Sequence, residues 1–278
     1  MRYSYYSLVV GWPQIGVYKR QFSSQVVEAA SVIKLFIATV YLINLQKQLI
    51  PLNSPIMVKA VHVANTQLWA RKINWELKLS TASHLISMSI INSDAVATNV
   101  LLEQIGGKEE LNIILRGLGF GNTVLTRDNF SGSDSKGKKF FVGQTTADDC
   151  AALLDQLFVK RKLLSGKYFR FFKNIMSKVQ LHTGQSTKVT FCHKTGTVLS
   201  GNRLTINDIG VVYQRSSDKI PHIIIVLLTF ESFYGKYYGG MFFKRLQRFD
   251  EKVIELSSSQ PLVISNYHRQ YPSTAREF

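Results

Sequence analysis

Three short groups of residues in this chain have the types and spacing that chemistry needs. The first is Ser31-Val32-Ile33-Lys34, the second Ser93-Asp94-Ala95, the third Lys194-Thr195-Gly196. Residues three apart on a helix share a face, so Lys34 can reach the hydroxyl of Ser31. A serine hydroxyl is a poor nucleophile until a base removes its proton. A lysine serves as that base only when its pKa falls, and both burial and a second cation push it down. Lys194 would supply the second cation. A serine at a helix start also sits among free backbone N–H groups and the positive end of the helix dipole.

The elements that must position these groups follow from hydrophobic periodicity. Tyr5–Gly11 and Ile15–Phe22 read as two strands joined by a turn at Trp12-Pro13-Gln14. Ser31–Leu45 reads as a long helix, apolar all round and therefore buried. Thr81–Ile91, Val96–Ile105, Lys108–Leu115 and Thr146–Phe158 read as helices. Asn129–Gly143 is rich in Gly, Ser and Lys and reads as a long loop, the kind that often carries function. Val189–His193, Asp208–Arg215 and His222–Phe230 read as antiparallel strands, with a turn at Ser216–Lys219. Phe242–Leu256 reads as a closing helix. Lys194 then stands at the end of an apparent strand. Two early and three late strands predict an α/β (α+β) fold with a five-stranded antiparallel sheet, flanking helices and an all-α lobe. Residues 1–30 with 185–256 are expected to form the sheet lobe, 31–184 the helical lobe and 257–278 a tail. A cleft between two such lobes is the natural position for a site.

Ser-x-x-Lys, Ser-Asp-Asn and Lys-Thr-Gly are together the signature of class A β-lactamases and penicillin-binding proteins. In order, spacing and context this chain resembles that superfamily, from about Val9 to Leu256. Asn92–Leu102 is similar to the Ser-Asp-Asn loop and its helix, and Asn99 falls on the family's second Asn. His193–Val211 is similar to the Lys-Thr-Gly strand and its return strand, with an Asn-Asp-Ile. The resemblance implies Ser31, Lys34, Ser93 and Lys194 as catalytic residues. It implies Thr195, Gly196, Thr197, Asn99 and Trp69 as substrate-binding residues. By resemblance, the N–H groups of Ser31 and Thr197 form an oxyanion hole, and Ser93 relays a proton to the leaving nitrogen. Lys194, Thr195 and Thr197 hold a substrate carboxylate. Trp69 is either a cleft aromatic or a core tryptophan.

Two departures stand out. Ala95 replaces the Asn of Ser-Asp-Asn, and alanine can contact neither a substrate amide nor the catalytic lysine. Class A enzymes also carry a loop glutamate that activates the deacylating water. This chain has no glutamate between Glu110 and Glu231. The corresponding loop, near Thr126–Gly143, offers Asp128 and Asp134; Asp128 either replaces the glutamate or caps a turn. The expected function is a β-lactamase-like serine acyl-hydrolase with slow deacylation of penicillins and a role in antibiotic response. A penicillin-binding D-alanyl peptidase and a non-catalytic binding protein are the alternatives.

Composition narrows the partners. Of the 278 residues, 45% are hydrophobic and 19% charged, the balance of a folded protein. The longest apolar pieces, Val32–Leu45 and Ile223–Phe230, are interrupted or short of the roughly 20 residues a membrane span needs. The opening MRYSYYSLVVGWPQ has no leader pattern, which leaves the compartment open, since the family is usually extracytoplasmic. Cys150 and Cys192 are too far apart for a disulfide framework, and the six histidines form no ligand pair. No metal or cofactor is expected. The net charge is +16, and basic residues cluster at Lys136–Lys139, Lys160–Lys173 and Lys244–Arg248 with no nucleic-acid motif between them. The expected partner is a small, carboxylate-bearing molecule bound by a monomer.

Overall fold

The computed structural model describes residues 4–64, 66, 71, 75, 79–130, 142–179, 189–200, 203–214, 220–221 and 223–232. The chain enters as β1 (Ser4–Trp12), turns through a single 3-10 turn at Pro13–Ile15, and returns as β2 (Val17–Gln21). Gly16 closes that turn in the left-handed region, φ +66°, where a side chain is disfavoured. The chain ends its described course in three long strands, β8 (Val189–Ser200), β9 (Arg203–Gln214) and β10 (Ile223–Ser232). All five form one antiparallel sheet in the order β2-β1-β10-β9-β8. The predicted five-stranded sheet is therefore present. In β10 the consecutive Ile223, Ile224, Ile225 and Val226 are all buried, the pattern of a strand covered on both faces.

The central helix α1 (Ile33–Lys47) starts from a 3-10 turn at Ala30–Val32. It is buried from Ile33 to Ile43, Lys34 and Thr39 included, as its largely apolar composition requires. By length and composition alone, Ala30–Lys47 is long and apolar enough to cross a membrane. However, 78% of it is buried inside the protein, the environment of a core helix. Around it lie α3 (Ala82–Ile91), α4 (Ala95–Ile105) and α5 (Gly107–Gly117), with a short α2 (Ala60–Ala64) before them. Gly106 and Gly107 carry φ of +107° and +88° at the α4–α5 junction. Two successive left-handed residues there are tolerable only for glycine. Further on, α6 (Ala147–Leu154) runs into a π-helical turn at Asp155–Val159, and α7 (Gly166–Met176) follows. Thr81, Asp94 and Thr146 cap α3, α4 and α6 through their side chains. Cys150 and Cys192 are buried thiols that are not joined in a disulfide. Burial pushes the Cys150 thiol up to about 12.

Two small sheets escaped the sequence pattern. One joins β3 (Val27–Glu28), β7 (Gly143–Thr145) and β6 (Val124–Leu125); the other pairs β4 (Pro55–Met57) with β5 (Leu79–Thr81). Strands of two or three residues are too short to show a period of two. The expected turn at Ser216–Lys219, helix at Phe242–Leu256 and tail at 257–278 lie outside the described residues, as does most of the Asn129–Gly143 loop.

Candidate active site

Ser31 lies half-buried in the 3-10 turn that opens α1. The residue before it, Ala30, has φ +46°, and Ser93 has φ +57°. Left-handed backbone at a non-glycine residue is costly and persists only where the surroundings over-determine it; such residues cluster at functional sites. Strand β8 passes directly against this turn. A Cβ on Gly196 would lie 2.8 Å from the Ser31 nitrogen and 2.9 Å from the Val32 nitrogen. Only glycine lets β8 run so close to the Ser31 backbone.

Lys34 and Lys194 are 3% and 1% exposed. Lys34 Nζ donates to the Ser93 carbonyl at 2.5 Å and the Ser93 hydroxyl at 3.2 Å. Lys194 donates to the same hydroxyl at 3.3 Å and to the Thr195 carbonyl at 2.7 Å. A hydroxyl oxygen has two lone pairs. With both facing lysine nitrogens, the Ser93 proton is left to donate elsewhere. Burial lowers the Lys194 pKa to about 8, against the opposing pull of the Asp208 carboxylate. Behind Lys194 the buried His193 links Asp208, 2.9 Å from Nδ1, to the Val179 carbonyl, 3.2 Å from Nε2.

The second group is held by its aspartate. Asp94, fully buried, accepts the Ala97 N–H at 2.8 Å and the Trp75 indole N–H at 3.1 Å. It thereby caps α4 and pins the left-handed Ser93. Ala95 is the buried first residue of α4 and adds no polar group. Asn99 donates to Thr66 Oγ1 at 3.1 Å and accepts the Phe130 N–H at 2.8 Å. Phe130 in turn lies with its ring centroid 5.2 Å from Lys34 Nζ.

A family model described as the Beta-lactamase enzyme family matches residues 17–236, well over half of the chain. The chain belongs to this family. No curated protein matches it by sequence. Among solved structures, a β-lactamase from Chitinophaga pinensis superposes with a TM-score of 0.74 at 17% identity, covering 90% of this chain and 93% of that one. A class A β-lactamase representative from Bacteroides cellulosilyticus gives 0.74 at 19%, covering 91% of each. The structure of PBP-A gives 0.69 at 22%, covering 91% and 90%. At these identities the likeness is one of fold.

The three groups singled out from the sequence thus meet in one place: Ser93 between Lys34 and Lys194, with Gly196 against the Ser31 turn. Lys194 stands in the middle of β8, paired with Ile209, not at a strand end; the strand continues to Ser200. Thr195 is half-buried and Thr197 exposed on that strand. Asn99 reaches the site through Phe130, since both ends of its amide are engaged inside the fold. Asp128 has the arrangement of a cap: its exposed carboxylate accepts from the Lys108 side chain at 2.8 Å and the Lys108 N–H at 3.2 Å. That bond to Lys108 also holds its pKa below the usual carboxylate range. Trp69 and Asp134 lie outside the described residues. Among the described residues, no three His, Cys, Asp or Glu side chains gather as a metal site. Sequence reasoning passed over Trp75, Phe130, His193, Asn207 and Asp208 as functional candidates. The Asn-Asp-Ile and the His before Lys-Thr-Gly were the available signal for three of them.

The close approach at Gly196 is directly testable. Gly196→Ala should destabilise the protein by about 1–3 kcal/mol, the usual effect of overpacking. The urea midpoint should fall at unchanged slope; an unchanged midpoint contradicts the contact.

Proposed function

We propose that the protein is a serine acyl-hydrolase that acylates Ser31 with β-lactams or related carboxylate-bearing amides and esters, and releases penicillin-derived acyl groups slowly. The observation that carries this reading is the convergence of two buried lysines on the Ser93 hydroxyl beside the Ser31 turn. Lys34, in its neutral amine form, takes the Ser31 proton as Oγ attacks the substrate carbonyl carbon. The Ser31 and Thr197 N–H groups hold the oxyanion. The C–N bond then breaks, the leaving nitrogen takes the Ser93 proton, and Lys34 replaces that proton on Ser93. Lys194, with Thr195 and Thr197, holds the substrate carboxylate.

Hydrolysis of the acyl-enzyme needs a base for water. The loop supplies no glutamate, Asp128 is committed to Lys108, and the residue brought over Lys34 is the phenylalanine ring of Phe130. Loss of a general base typically costs about 10²–10⁴ in rate, enough to make deacylation the slow step. The same observation favours a second reading, a penicillin-binding protein that keeps its acyl group.

A chromogenic β-lactam should give a burst equal to the enzyme concentration, then a slow steady rate. Asp128→Asn should change neither phase. A fast linear trace with no burst contradicts the assignment of the slow step, and no reaction at all supports a non-catalytic protein.

Lys194 generates a pH prediction. As pH rises through about 8 its ammonium loses its proton in the free enzyme. The kcat/KM for a carboxylate-bearing substrate should therefore fall above that pH, while a neutral ester lacks this limb. Lys194→Ala should likewise weaken the carboxylate substrate far more than the ester. Lys34→Ala should slow both at every usable pH. Equal losses for both substrates in Lys194→Ala overturn the anchor role.

A further inference from the structure

We propose that Asn207 is the positioning residue that holds the Ser31 turn against β8 and so sets the spacing of the two oxyanion-hole donors; this rests on Ser31 being the nucleophile. Asn207 is fully buried on β9, directly opposite Gly196 in the β8–β9 register. Its side-chain nitrogen donates to two backbone carbonyls, Glu28 at 2.9 Å and Ala29 at 3.0 Å. Its side-chain oxygen accepts the Thr229 N–H from β10 at 3.0 Å. Both N–H groups and the carbonyl of the amide are thus engaged.

The two carbonyls belong to the residues immediately before the Ala30–Val32 turn. Two carbonyl oxygens converging on one point need a double donor, and a primary amide nitrogen is the neutral group that supplies one. The same Ala29 carbonyl accepts the Val32 N–H at 3.2 Å, and the Ala29 N–H donates to the Gly143 carbonyl at 2.9 Å. Ala29 is therefore tied on both sides, while Ala30, next to it, sits at φ +46°. A left-handed alanine needs such external restraint.

Asn207 and Gly196 act on this turn as a pair. Asn207 tethers it to the sheet; Gly196 leaves room for the Ser31 nitrogen to lie against β8. Thr229 fixes the tether's base, since its hydroxyl accepts the Ile206 N–H at 3.2 Å and donates to the Ile206 carbonyl at 2.5 Å. The Ser31 N–H comes from the tethered turn and the Thr197 N–H from β8, so their separation depends on the tether.

The test compares Asn207→Ala and Asn207→Ser with wild type in three measurements. These are the acylation rate with a neutral ester and with a β-lactam, the affinity for a boronic acid, and the affinity for a non-covalent carboxylate ligand. A boronic acid accepts Ser31 Oγ on boron and presents a tetrahedral oxygen to the hole. Loss of one oxyanion donor costs about 10²–10³ in rate. Acylation of both substrates and boronate affinity should fall together, by about tenfold or more in Asn207→Ala and less in Asn207→Ser. Carboxylate affinity should stay within about twofold, which also certifies a folded protein. Asn207→Ser serves as the reading variant if Asn207→Ala does not fold. Wild-type acylation in a folded variant, or slower acylation with unchanged boronate affinity, overturns the proposal. A wild-type protein that never acylates Ser31 overturns the underlying reading instead, and the two failures are distinct.

Discussion

The site depends on keeping two lysine side chains inside the protein around one serine hydroxyl. Removing an ammonium from water is expensive unless acceptors meet it. The Lys194 pKa, lowered from 10.5 to about 8, corresponds to roughly 3 kcal/mol against its charged form. That penalty is present in full below about pH 8 and fades as pH rises toward the value of the unfolded chain. Ser93 meets much of the demand. Its left-handed backbone turns carbonyl and hydroxyl toward the same Lys34 nitrogen, and the hydroxyl serves Lys194 as well. Asp94 and Trp75 hold that conformation from behind. The strained residue and its support form one device.

The second constraint is how closely a strand can approach a helix start. Lys34 comes from α1 and Lys194 from β8, which are distant in sequence. They reach one hydroxyl because β8 runs against the turn that opens α1, where Gly196 has no side chain. The sheet that carries β8 is built from both ends of the described chain, β1 lying between β2 and β10. An element inserted between early and late strands is thereby fixed against the sheet at its entry, and that entry is the Ser31 turn.

Much of this was legible beforehand, for identifiable reasons. The largely apolar α1 and the apolar β10 read as buried helix and buried strand from their composition and length. Ser31, Lys34, Ser93 and Lys194 stand out through order and spacing. What stayed hidden is tertiary. Nothing local marks Trp75 as the partner of Asp94, Phe130 as the ring over Lys34, or Asn207 as a tether to Glu28 and Ala29. The strand end inferred at His193 was false because Lys194-Thr195-Gly196 interrupts the apolar pattern while backbone pairing carries β8 on to Ser200. Asp128 was ambiguous from sequence; its bonds to Lys108 give it the geometry of a cap.

Ala95 and the missing loop glutamate are the departures from the pattern read in the sequence, while the four groups proposed for acylation are all present. The most direct test is therefore whether Ser31 becomes acylated. The full-length protein is incubated with a penicillin, its intact mass recorded, and the adduct located by peptide mapping. This account predicts one added penicilloyl mass, carried by the peptide containing Ser31 and absent in Ser31→Ala. A label on any other residue, or an adduct that persists in Ser31→Ala, contradicts it.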